Sequence, residues 1–283
     1  MGRIAKNRFV QFFITFVRRY FSDNISKSGA QFAYFFLFSF FPLLIFINAL
    51  IGLLPIELSD IAIITDGVIP YEISNLVSDY FTYLASFNSA GLLLTGLILT
   101  LYFLAKAVSS LIFSISGIYH TTKKRHPVAQ FFLTTLFTAL MLIAIFFALI
   151  LLIVGRSFLT WVGTYIDISH ASVAAWNILR FILLAAFFLL FLLVAYTILP
   201  NTPLRLRDAL PGALFAMLAW VCVSIGFSYY VENMARYSLL YGSLGAVIVL
   251  MLWIYLTGII LILGSEVNFI LAQMKQGETE QIE

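Results

Sequence analysis

The chain of 283 residues reads as an all-α, polytopic membrane protein with six transmembrane helices and both ends in the cytoplasm. Six apolar stretches are each long enough to cross a bilayer, which takes roughly 20 residues at 1.5 Å rise. Hydrophobic residues make up 62% and charged residues 10% of the chain, against roughly 45–50% and 25% in soluble domains. The charges on successive loops alternate in sign. These features give a single membrane domain over residues 1–283, because no loop is long enough to fold alone as a soluble enzyme.

In chain order, residues 1–29 form a cytoplasmic amphipathic segment. Phe9, Phe12, Phe13, Phe16, Val17 and Tyr20 fall at helical spacing, with Arg8, Gln11, Thr15, Arg18 and Arg19 opposite. One aromatic and one basic face suit a helix lying on the anionic inner leaflet, and equally a helix packed beneath the bundle. The segment lacks the uninterrupted apolar core and small-residue cleavage site of a signal peptide. The first span, Phe32–Leu54, contains Pro42, which removes an amide donor and crowds the Phe38 carbonyl, so a kink is expected there.

An acidic outer loop, residues 55–90, follows. Ile73, Leu76, Val77, Tyr80, Phe81 and Leu84 mark an amphipathic helix in it, either a gate over the bundle or a lid that shields helix ends. The remaining spans are Gly91–Phe113, Val128–Val154, Trp176–Leu199, Ala209–Tyr230 and Gly242–Gly264, and residues 272–283 form a cytoplasmic tail. Twelve basic residues fall on the side of the termini and two, Arg156 and Arg236, on the other, which sets the orientation. Lys106 and Arg180 lie inside spans. The single cysteine, Cys222, excludes an intrachain disulfide.

Polar groups inside hydrocarbon must pair, face water or snorkel, so they are the functional candidates. Lys106 is followed on its helix by Ser110, Ser114 and Gly117. That pattern reads either as a water-lined groove or as a snorkelling lysine above serines packed on a neighbour. Arg180 sits near the outer interface, where snorkelling accounts for it. In the sixth span Gly242, Gly245, Val249, Trp253, Thr257, Ile260, Gly264 and Asn268 form one stripe, whose small residues favour close helix packing. Glu266 is expected to end that helix on a different face. An acid there opposes the macrodipole, so a cation such as Arg205 or Arg207 should hold it, as a structural clasp or as a proton or cation site.

The same residues carry a resemblance. Ala33-Tyr34 with Ser39 and Phe41-Pro42, Leu199-Pro200-Asn201, and Arg207-Asp208-Ala209-Leu210-Pro211-Gly212-Ala213 with Trp220 resemble the YihY/BrkB family. So do Tyr241-Gly242-Ser243-Leu244-Gly245-Ala246, Trp253 and Gly264-Ser265-Glu266-Val267-Asn268. Ser265 departs from the alanine expected there, and Lys106 matches no motif of the family. The resemblance covers about Asp23 to Ala272. It implies a six-helix protein of the bacterial cytoplasmic membrane without an agreed activity. Some members are labelled ribonuclease BN, others virulence factors, and the family is discussed in terms of transport, including of lipids.

The residues themselves speak against a nuclease. Metal-dependent cleavage of RNA needs clustered His and Asp at an aqueous site, yet there are three histidines, and His170 lies across the membrane from His120 and His126. No span holds a histidine to activate Ser243, and no Gly-x-x-x-x-Gly-Lys-Ser loop is present for a nucleotide. The reading is therefore of a non-enzyme without cofactor, metal or nucleic acid, whose partners are membrane lipids and a second copy or another membrane protein. Transport of a lipid-like or amphipathic solute is the expected function, and a non-transporting scaffold the alternative. The candidate cavity residues are Pro42, Lys106, Ser110, Ser114, Glu266 and Asn268; Gly242, Gly245 and Gly264 are the helix-packing residues.

Overall fold

The structure, a computed structural model, describes residues 8–53, 90–119, 125–163, 170–233 and 243–279. Among them are seven helices and no strand: α1 (Arg8–Ser22), α2 (Ile25–Leu53), α3 (Ala90–Ile118), α4 (Pro127–Gly163), α5 (His170–Ile198), α6 (Leu206–Asn233) and α7 (Ser243–Thr279). Six of them, α2 to α7, are long and apolar enough to cross a membrane. The outer-loop helix expected near Ile73–Leu84, and Gly242, lie outside the described residues.

The chain divides into two compact units, Phe35–Lys106 and a larger one comprising Met1–Tyr34 with Ala107–Glu283. In the smaller unit α2 runs as unbroken helix through Pro42. Gly96 of α3 allows close approach there: a methyl group on it would lie 2.8 Å from the Phe46 nitrogen and 3.0 Å from the Pro42 carbonyl oxygen. Pro42 thus belongs to a tight helix crossing. The hydroxyl near it, that of Ser39, donates to the Phe36 carbonyl, and not to that of Phe38.

In the larger unit, α7 packs on α1 and α6, α6 on α5, and α5 on α4. Its apolar core gathers Ile112 and Ile115 of α3, Phe137 of α4, Leu192 and Tyr196 of α5, and Ala209, Ala213 and Ala216 of α6. The alanines let backbones meet, since lipid tails offer no hydrophobic drive between helices and close van der Waals contact must hold them. A methyl group on Gly258 would lie 2.8 Å from Phe32 and 3.3 Å from the Gly29 carbonyl oxygen. Ser26 and Tyr255 share a hydroxyl hydrogen bond of 2.7 Å nearby.

Two features differ from the sequence expectation. Helix α7 continues through the expected end at Gly264 to Thr279, so Glu266 lies inside a helix and the macrodipole at its end is not what Glu266 opposes. Helix α1 has three faces where two were expected. Phe12, Phe16 and Arg19 turn toward the bundle, with Phe16 edge-on to Phe215 at 5.8 Å. Phe9, Phe13, Ile14, Val17 and Phe21 are exposed, and Gln11 and Arg18 make the polar side. Helix α1 is thus packed against the bundle, and it still presents an apolar face outward. Asn24, at φ 53°, turns the chain from α1 into α2; asparagine tolerates that left-handed conformation better than most residues.

Candidate functional site

One end of the larger unit, the end the charge count assigns to the cytoplasm, brings together the buried Ser265, Glu266 and Asn268. Asn268 is 2% exposed. Its Oδ1 accepts the Gly212 amide at 2.6 Å and its Nδ2 donates to the Ala209 carbonyl at 3.1 Å. Both amide ends are thus used on the first turns of α6, around Pro211. Gly264 lies one turn away on the same stripe, and a methyl group on Gly212 would collide with the Gly264 carbonyl oxygen. Tyr196 of α5 completes the crossing by donating to the Leu261 carbonyl at 2.7 Å. Further along, Trp220 donates to Thr257 at 3.2 Å and meets Trp253 edge-on at 5.9 Å. The stripe Trp253, Thr257, Gly264 and Asn268 is therefore the surface that α7 turns to α6; Gly245 at its other end is buried.

Glu266 faces the other way. Arg19 of α1 donates Nε–H to Glu266 Oε2 at 2.6 Å and Nη2–H to the Ile118 carbonyl at 3.0 Å, which ends α3. The same Nη2 lies 2.7 Å from Asp23 Oδ2, and the guanidinium sits 4.2 Å over the Phe269 ring. Arg205 and Arg207 are exposed. The cation expected from the α5–α6 loop is replaced by one from α1, because the i,i+4 pair Arg19 and Asp23 closes over Glu266 once Asn24 turns the chain. Tyr119 packs edge-on to Phe269 at 5.4 Å and donates to the Ser265 carbonyl at 3.5 Å. Burial pushes its phenol up to about 12, helped by the Glu266 charge and opposed by its hydrogen bond with Ser265.

Arg125 was not among the sequence candidates. It donates to the carbonyls of Ile198, Leu199 and Pro200 at 2.9, 3.4 and 3.0 Å, and Ser116 adds a bond of 3.0 Å to Leu199. A cation on the last carbonyls of α5 satisfies orphan acceptors and the negative helix end. Desolvation lowers the pKa of Arg125.

Lys106 belongs to the smaller unit. It is exposed, with Nζ 5.5 Å over the Tyr102 ring. Ser110 is buried and donates to the Ala107 carbonyl at 2.7 Å, while Ser114 is half-buried. The exposed stripe of α3 is instead Leu99, Tyr102, Lys106, Phe113 and Gly117. Arg180 stacks 5.0 Å over Phe181. An apolar cavity of about 30 Å³ lies among Val108, Ile115, Phe137, Leu192 and Tyr196.

The two sequence strings that meet through Gly212, Gly264 and Asn268 agree with the family comparison, in which the model described as "Virulence factor BrkB" matches residues 16–283. The chain belongs to the BrkB family. A ribonuclease-like protein, YfkH of Bacillus subtilis (strain 168), is 33% identical over 91% of this chain and 94% of its own length. A UPF0761 membrane protein of Xanthomonas campestris pv. campestris (strain B100) is 28% identical over 88% of this chain. The chain spans 57% of that relative's length. A UPF0761 membrane protein of Pseudoalteromonas translucida matches over 91 residues at 33% identity, 30% of its length. No solved structure matches. This BrkB-family chain is thus a multi-pass bacterial membrane protein.

Proposed function

We propose that this BrkB-family protein moves a lipid-like or amphipathic solute within or across the bilayer, with Lys106 as the contact for an anionic headgroup. The carrying observation is the exposure of Lys106 on an otherwise apolar helix face. It lies roughly 24 Å from the outer and 18 Å from the inner end of α3 at 1.5 Å per residue. Centred on a hydrocarbon core of roughly 30 Å, that depth is beyond the reach of a lysine stem. No carboxylate among the described residues pairs with it. An ammonium with only the Tyr102 ring beside it costs up to about 2.5–3.5 kcal/mol there on insertion scales, and a phosphate carried by an apolar tail would offset that cost.

The scaffold reading is favoured by one observation: the small cavity beside Tyr196 is apolar and has room for no lipid. A nuclease reading is raised by the name of the Bacillus relative, and cleavage of labelled RNA by the purified protein would establish it. Liposomes carrying headgroup-labelled anionic lipids decide between transport and scaffold. Translocation faster than in empty vesicles, slowed tenfold or more by Lys106→Ala and restored by Lys106→Arg, supports the proposal. Wild-type vesicles no faster than empty ones leave the scaffold.

A further inference from the structure

We propose that Asp23 and Glu266 together bind one proton at the buried seat where α1 is held against α7. Two carboxyl groups meet there with a single guanidinium. Arg19 satisfies Glu266 Oε2 by a 2.6 Å hydrogen bond, and the Ser22 hydroxyl satisfies Asp23 Oδ1 at 2.9 Å. Glu266 Oε1 and Asp23 Oδ2 remain, both buried and neither hydrogen-bonded; the 2.7 Å approach of Arg19 to Asp23 Oδ2 falls outside hydrogen-bond angles. The Glu266 side chain is 1% exposed and so is shut off from bulk solvent. One guanidinium gathers both carboxyls, with Glu266 Oε2 at Nε and Asp23 Oδ2 at Nη2, so the two acids sit side by side. Two ionised carboxylates cannot hydrogen-bond to each other, and their joint charge leaves a net −1 beside one Arg19. One shared proton supplies the missing donor and neutralises the seat.

The other groups facing this seat do not supply that donor. Tyr119 is the remaining titratable neighbour, and its hydroxyl is directed to Ser265. Arg19 gives Nε–H to Glu266 and one Nη2–H to Ile118, and its Nη2 approaches Asp23 Oδ2 without hydrogen-bond geometry. Loss of the proton sets two anions in competition for Arg19, so the hold of α7 on α1 follows proton occupancy. The site stands without the transport reading; alongside it, it identifies a coupling ion for a chain with no nucleotide-binding loop.

The test is infrared titration of the intact protein in lipid nanodiscs, which needs no solute and so is independent of any transport assay. Wild type is expected to show a protonated-carboxyl band at neutral pH that disappears as pH rises. Asp23→Asn and Glu266→Gln should each abolish the band, because the remaining carboxylate then has Arg19 to itself. Absence of the band in wild type overturns the proposal, as does its survival in Asp23→Asn. Should Glu266→Gln fail to fold, Asp23→Asn decides alone: Asp23 is on the turn after α1, where its side chain is 16% exposed.

Discussion

Asn268 holds the first turns of α6 by both ends of its amide, taking the Gly212 N–H at 2.6 Å and giving to the Ala209 carbonyl at 3.1 Å. A side chain from another helix thus serves two backbone groups beside Pro211. In hydrocarbon an unserved group costs several kcal/mol. Asn268→Ala is expected to destabilise by about 1–3 kcal/mol. Asn268→Asp should cost a similar amount, since it keeps the acceptor, loses the donor and adds a buried charge. Thermal unfolding in detergent checks both. Equal stability of Asn268→Ala and wild type would show the amide to be idle.

Glycines divide into two groups. A methyl group on Gly212 collides with the Gly264 carbonyl oxygen, and one on Gly264 with the Tyr196 hydroxyl. Beside Gly117 and Gly226 nothing lies within 4 Å. Gly212→Ala and Gly264→Ala should therefore lose folded protein by at least the about 1–3 kcal/mol of an overpacked core. Gly117→Ala and Gly226→Ala should be neutral or gain up to about 1 kcal/mol from helix propensity. Yield of monodisperse protein and melting temperature for the four variants provide the comparison.

Much of this was legible in the sequence. Hydropathy and length gave the spans, and the spacing of Trp253, Thr257, Gly264 and Asn268 gave the face that α7 turns to α6, because a helix repeats on its own geometry. The choice of partner was not legible. Glu266 takes Arg19, 247 residues away, over Arg205 or Arg207, and nothing local distinguishes those cations. The tight crossing of Gly29 and Gly258 is likewise set by two segments whose sequences do not refer to each other. Ser110 and Lys106 share a helical spacing, yet the helix rotates one inward and the other out, since a 40° difference suffices at the edge of a buried face.

Arg125 spans three carbonyls at the end of α5. Arg125→Lys keeps the charge but not the planar fork, and is expected to cost about 1 kcal/mol, with Arg125→Ala costing more. Hydrogen exchange at the last turn of α5 should quicken in both. Unchanged exchange would show that the carbonyls are served without it.

Tyr119 ionises from 10.0 in the unfolded chain to about 12 in the folded one. Its proton is held more tightly when folded, so its contribution to stability is full below pH 10 and is lost as pH rises from 10 to about 12. The tyrosinate absorbance of wild type minus Tyr119→Phe should rise only near the top of that range. A difference titration centred at 10 would place the phenol in water.

The clasp between α1 and α7 is tested most directly by a double-mutant cycle on Arg19→Ala and Glu266→Ala, followed by melting temperature in detergent. Removing Arg19 strands the buried Glu266 at a cost of about 3–5 kcal/mol, removing Glu266 leaves Arg19 with Asp23 and costs less, and in either order the second removal then costs little. The double variant should therefore lose clearly less than the sum of the single losses. Losses that add within error would mean that Arg19 and Glu266 stabilise the protein separately, and that no clasp joins α1 to α7.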